Sequence, residues 1–212
     1  PGEWARALSR WARTNVRYGG IRVDVRGLER VPASGTVFAA NHASAFDICL
    51  LAVALPMPIV FVARTGVLNV PIIGSVLRRG GHIVVERSGG GAANDEALEN
   101  AARTVRRGVG VVFFPEGTRS RDEAPKKWRS GAFRVAASAN VPLCPVALAG
   151  TRSIMPTGSA YIMPGRAIVE AIEPIRVTVD EALDEGFRER VRDNVYATVG
   201  SLEAGLAAEE PA

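Results

Sequence analysis

Short apolar runs alternate along this chain with stretches of helical period. Ile21 to Val25 alternates apolar and charged residues, the pattern of a half-buried strand. Thr36 to Ala40, Ile59 to Ala63, Val109 to Phe114 and Leu143 to Ala149 are strongly apolar and read as strands buried on both faces. His82 to Glu86 is a short β-branched run after Gly80-Gly81, and Ala167 to Ile172 is one more strand candidate. Ile48 to Leu55 reads as a buried helix halted by Pro56. Asn94 to Arg107 opens with Asp95 and Glu96 and closes with Arg103, Arg106 and Arg107. That order complements the helix dipole, and Gly108 is placed as a stop. Gly131 to Ala139 is a further helix with Asn140 as its C-terminal signal, and Asp180 to Leu206 is helical with breaks expected at Gly186 and Gly200. Pro32 to Gly35 is a turn, and Gly89 to Gly91 a loop. The sequence therefore predicts an α/β domain, with a mostly parallel or mixed central sheet flanked by helices. Loops at the strand ends are the natural positions for a site.

Residues 3 to 18 predict an N-terminal amphipathic helix. Trp4, Leu8, Trp11 and Tyr18 share one side, and Arg6, Arg10, Arg13 and Arg17 follow two residues later, about 200° away. An aromatic side backed by arginines suits a lipid headgroup interface. It equally suits a surface helix docked on the domain by its aromatic side, and periodicity alone does not separate the two.

The chain has 212 residues and 47% hydrophobic content, enough to bury the core of one domain. The formal charge is +4, and only Lys126 and Lys127 among the 26 basic residues are lysine. No basic block combines with aromatics as nucleic-acid binding requires, so no nucleic-acid partner is expected. Cys49 and Cys144 sit in apolar stretches and read as buried reduced thiols. No His or Cys cluster has ligand spacing, so no metal is expected. The longest nearly uncharged run, Ile48 to Ala63, is short for a membrane span and is broken by Pro56 and Pro58. Neither a secretory signal nor a transmembrane helix is expected.

Chemistry gathers in two segments, each directly after an apolar strand. The first is Asn41-His42-Ala43-Ser44-Ala45-Phe46-Asp47. In one continuous helix the two side chains of His42 and Asp47 would stand about 140° apart. With His42 in a loop and Asp47 on the first helical turn, they can meet. A carboxylate on one imidazole nitrogen fixes the tautomer and leaves the other nitrogen to accept a proton. The second segment is Phe114-Pro115-Glu116-Gly117-Thr118-Arg119-Ser120. It combines a carboxylate, a glycine, two hydroxyls and an arginine. Exposed backbone N–H groups with threonine and arginine suit a phosphate. Either segment alone is also what an ordinary capped turn looks like. His82, inside a strand, reads as structural.

Together these segments resemble the glycerolipid acyltransferases, in the form of the bacterial lysophosphatidic acid acyltransferases. Asn41-His42 to Asp47 matches that family's His-x4-Asp motif, and Phe114 to Ser120 its Phe-Pro-Glu-Gly-Thr-Arg-Ser motif. Val141 to Val146 resembles a further block, Val-Pro-hydrophobic-x-Pro-Val, and Gly80 to Arg87 a block ending in arginine. Arg64 stands where the family usually has lysine, and Arg129-Ser130 where it often has a lysine pair. The resemblance covers roughly residues 20 to 175, and these departures bear on the acceptor headgroup more than on the reaction.

The amphipathic pattern gives a membrane-surface helix over 1–20, and the resemblance implies a catalytic domain over 21–212. It implies His42 as general base and Asp47 as its partner. Arg87 and Arg119 are implied for the acceptor phosphate, helped by the loop of Glu116, Gly117 and Thr118. Arg64, Asn41 and Ser44 are secondary site residues. Glu116 is left two roles, bonding an acceptor hydroxyl or holding the arginines. The partners implied are a lysophospholipid acceptor, an acyl thioester donor and the membrane surface. The donor is acyl-CoA or acyl-carrier protein, with no other cofactor. The place implied is peripheral, on the cytoplasmic face of the membrane. A base must be neutral to act, so activity is expected to fall at acid pH as His42 takes up a proton. The rival readings are a sister acyltransferase with another acceptor, a thioesterase or hydrolase, and a non-catalytic lipid-binding module.

Overall fold

A computed structural model describes residues 2–33, 35–69, 80–86, 91–120, 124–159 and 161–209. Its strands are β1 (Ile21–Arg26), β2 (Val37–Ala40), β3 (Ile59–Arg64), β4 (Ile83–Val85), β5 (Gly110–Phe113), β6 (Leu143–Ala149) and β7 (Gly165–Ala171). They form one sheet in the order β1-β7-β6-β2-β5-β3-β4. The described pairs are parallel except β6 with β7, so the sheet is mixed. β2 lies between β5 and β6, with Val37 across from Val111 on one side and Leu143 on the other. Every residue of β2, β5 and β6 is buried, as a two-sided sheet demands of its central strands.

The helices are α1 (Gly2–Tyr18), α2 (Asp47–Ala54), α3 (Ala92–Arg106), α4 (Gly131–Ala139), α5 (Thr151–Ile154), α6 (Val179–Leu183) and α7 (Glu185–Glu209). Strand alternation sends Val37 and Ala39 to one face, where they meet Ala101 and Val105 of α3, Phe133 and Ala136 of α4 and Val195 of α7. Phe38 and Ala40 go to the other face, with Leu50 and Leu51 of α2 and Ala12 of α1. Asn140 ends α4 in the left-handed conformation, φ 53°, as its C-terminal position suggests.

Two helices differ from expectation. The C-terminal helix breaks at Asp184 rather than Gly186, because the Asp184 carboxylate takes the Gly186 N–H at 2.8 Å and so opens a second helix. Gly200 is carried inside α7 without a break. The docked side of α1 takes Leu8, but not the aromatic residues, from the side that carries them. Leu8, Ala12 and Val16, four residues apart, form the row that packs on the core beside α2. Ala12 is fully buried, and its small side chain lets the two helices approach. Trp4, Trp11 and Tyr18 flank that row and remain 42%, 52% and 85% exposed. Among the described residues no helix is long and apolar enough to cross a membrane.

Candidate active site

β2 ends at Ala40, and the chain leaves the sheet through Asn41 and His42. The Asn41 amide prolongs the strand by side chain: Nδ2 donates to the Leu148 carbonyl at 2.9 Å, and Oδ1 accepts the Leu148 N–H at 2.8 Å. This double bond to β6 fixes where His42 emerges. Asp47 is the first residue of α2 and is fully buried. Its Oδ2 accepts His42 Nδ1–H at 2.7 Å and the backbone N–H groups of Ala43 and Ser44 at 2.9 and 3.0 Å. An ionised carboxylate only accepts, so neutral His42 carries its proton on Nδ1 and keeps a lone pair on Nε2. Among the described residues Nε2 has no hydrogen-bond partner, and the ring is 15% exposed. The arrangement can take a proton from a hydroxyl brought to Nε2.

The second segment leaves β5 beside the first and grips it. Phe114 stacks on the imidazole, with ring centroids 3.9 Å apart and planes at 14°. Glu116 Oε1 accepts the His42 backbone N–H at 3.0 Å, and the Ser120 N–H donates to the His42 carbonyl at 2.7 Å. Both backbone groups of the histidine are therefore held by the Glu-Gly-Thr-Arg-Ser loop. Glu116 is buried, and its Oε1 also accepts the Tyr196 hydroxyl of α7 at 2.8 Å. Burial raises its proton affinity above the usual carboxylate range, against the pull of Tyr196 and His42. Sequence reasoning assigned Glu116 to substrate or arginines. In the structure Oε1 accepts from the His42 backbone and from a tyrosine, while Oε2 is buried and has no partner among the described residues.

Gly117 has φ +69°, and a Cβ there would lie 2.5 Å from an Arg64 guanidinium nitrogen and 3.2 Å from Arg129 Nε. Glycine is required by backbone and neighbours alike, and two guanidinium groups close over the loop. Arg64 is the last residue of β3, and Arg129 hangs its N–H on the Pro115 carbonyl at 3.0 Å. Thr118 and Arg119 are exposed on the same loop, and Lys126 Nζ donates to the Arg119 carbonyl at 3.3 Å. Arg87 lies outside the described residues.

Ser44 is buried, with Oγ donating to the Met155 carbonyl at 2.7 Å and accepting the Phe46 N–H at 3.1 Å, so it braces the loop. Burial, and then the Asp47 charge, push the Cys49 thiol up to about 12. Cys144 rises likewise to about 12, chiefly by burial. Neither is thiolate near neutral pH. His82 accepts the Phe61 N–H on Nδ1 at 2.9 Å, and burial lowers its proton affinity, in keeping with a structural, neutral ring. Among the described residues no group of three His, Cys, Asp or Glu side chains could hold a metal ion.

Sequence reasoning missed Tyr196, the stacking role of Phe114 and the approach of Arg129. Phe114 and Arg129 were visible as motif positions. Tyr196 lies eighty residues from Glu116, and no local signal marks it.

An imidazole–carboxylate pair at the carboxyl ends of an α/β sheet, gripped by a Glu-Gly-Thr-Arg loop, defines a recognisable class of protein. The acyltransferase family model matches residues 22–149, more than half of the chain, and the chain belongs to that family. It is 34% identical over 188 residues to a chloroplastic 1-acyl-sn-glycerol-3-phosphate acyltransferase of Brassica napus, covering 87% of this chain and 54% of that protein. It is 28% identical over 160 residues to the 1-acyl-sn-glycerol-3-phosphate acyltransferase of Escherichia coli K12, covering 75% and 64%. The chain thus spans about half the length of the plant relatives it matches. The crystal structure of the 1-acyl-sn-glycerophosphate (LPA) acyltransferase PlsC from Thermotoga maritima shares the fold. Its TM-score is 0.76 at 24% identity, over 93% of this chain and 79% of that one.

Proposed function

We propose that this chain transfers a fatty acyl group from a thioester to the free hydroxyl of lysophosphatidic acid, giving phosphatidic acid. The observation that carries the reading is the His42–Asp47 pair, open at Nε2 and held by the same loop that gathers Arg64, Arg119 and Arg129. In this reading Nε2 takes the proton from the acceptor hydroxyl as its oxygen attacks the thioester carbonyl. The tetrahedral intermediate collapses, the C–S bond breaks, and the thiolate takes the proton back from His42. Asp47 stabilises the transient imidazolium. Acyl transfer is redox-neutral, so acyl-CoA or acyl-carrier protein is a co-substrate and no further cofactor is called for. No acyl-enzyme is invoked, in keeping with protonated Cys49 and the tied hydroxyl of Ser44.

The acceptor phosphate is assigned to Arg119, Arg87 and Arg64, with the backbone of Gly117 and Thr118; guanidinium groups pair bidentately with phosphate oxygens. Attachment is peripheral, through α1, whose tryptophans and tyrosine stay exposed on one side with its arginines on another. The test is a panel of lysophosphatidic acid, glycerol-3-phosphate, neutral lysolipids and a lyso-aminolipid, each with both donor types. Lysophosphatidic acid should be acylated fastest, and Arg119→Ala should raise its KM. Free fatty acid released at full rate without any acceptor would make the protein a hydrolase instead.

A further inference from the structure

α7 lies outside the stretch matched by the family model, yet it reaches the site. Val191, Val195, Val199 and Leu202 bury one side of the helix in the core. Tyr196, next to Val195, is half-buried and carries its hydroxyl to Glu116 Oε1 at 2.8 Å. The same oxygen accepts the His42 backbone N–H at 3.0 Å. A phenylalanine would fill the same space, so packing alone does not call for the hydroxyl. A buried carboxylate does call for it, because each missing donor leaves charge unsolvated.

We propose that Tyr196 is a positioning residue for His42: its hydroxyl fixes the Glu116 carboxylate, and Glu116 fixes the backbone from which the imidazole projects. The proposal rests on reading His42 as the base. It makes the C-terminal helix part of the catalytic apparatus rather than a cover for the sheet. It also explains why Glu116 is buried and turned to the catalytic loop. The groups facing the pair are His42 on the catalytic loop, Lys126 on the segment before α4, Arg152 on α5 and Arg192 one turn earlier on α7. The tyrosine hydrogen bond favours the ionised carboxylate, so its removal should let Glu116 protonate at higher pH.

The experiment compares Tyr196→Phe with the parent in two ways. Hydrogen exchange of the His42 backbone amide, read by NMR, should quicken in the variant. The kcat with lysophosphatidic acid should fall about two- to tenfold, the effect of one hydrogen bond, with KM unchanged. The part of the acid limb set by protonation of Glu116, which adds to that of His42, should move to higher pH. In a Glu116→Gln background, where position 116 no longer titrates, Tyr196→Phe should leave that limb in place. An unchanged His42 amide, a loss confined to KM, or a limb that still moves with Gln at 116 would each overturn the proposal. Faster His42 amide exchange in Tyr196→Phe, alongside a parent that transfers no acyl group, would leave the clamp standing and sink the reaction assigned to it.

Discussion

His42 is held from three directions: Asp47 on its Nδ1, Phe114 on its face, and Glu116 with Ser120 on its backbone. The first was legible in the sequence. Five residues spanning a strand end, a loop and a first helical turn leave few ways for the side chains to point apart. The others were not, because a stacking partner and a backbone clamp come from the loop after β5, with Glu116 lying 74 residues further on. Glu116 shows the difference most clearly. Its type suggested contact with substrate or arginine, and no local pattern marks the bonds it makes to the His42 backbone and Tyr196. The consequence for stability has a definite sign. Its folded-state proton affinity is raised, so between the usual carboxylate range and that raised value the folded state holds a proton that the unfolded chain has released. Stability from this group is therefore lost as pH rises through the window. Unfolding of parent and Glu116→Gln at about pH 5 and about pH 8 should show the variant gaining on the parent at the higher pH. A constant difference would show that the carboxyl does not titrate anomalously.

The strands were legible because buried parallel strands are uncharged on both faces, and Val109 to Phe114 and Leu143 to Ala149 have no other reasonable fate. Direction was not legible. β7 carries the same kind of apolar pattern as its neighbours but runs antiparallel to β6, since the described residues between the two hold the short α5 and no long crossover helix. α1 was legible as a helix, but not in how it sits. Its tryptophans outweigh Ala12 in any hydrophobic count, whereas close packing on α2 favours the small residue. The exposed aromatic edge is what a lipid interface would use. Replacing Trp4, Trp11 and Tyr18 together with serine should abolish co-flotation with anionic vesicles. It should leave the melting temperature nearly unchanged, because none of the three is in the core. Undiminished flotation would remove α1 from the attachment surface.

At the scale of the molecule, parallel strands β2, β3 and β5 deliver His42, Arg64 and the Glu-Gly-Thr-Arg loop to the same end of the sheet. That convergence makes two motifs far apart in the chain into one site, and it follows from strand order rather than from either motif. β5 stands between β2 and β3, so its loop has the base on one side and the β3 arginine on the other. The chemistry assigned to this end of the sheet depends on one imidazole nitrogen acting as a base. The most direct measurement is the initial rate of acyl transfer to lysophosphatidic acid by the purified parent and by His42→Ala, each shown to be folded. The parent should turn over, and the variant should be slower by about a hundredfold to ten-thousandfold. A folded His42→Ala protein that acylates lysophosphatidic acid at the parent rate would contradict the account.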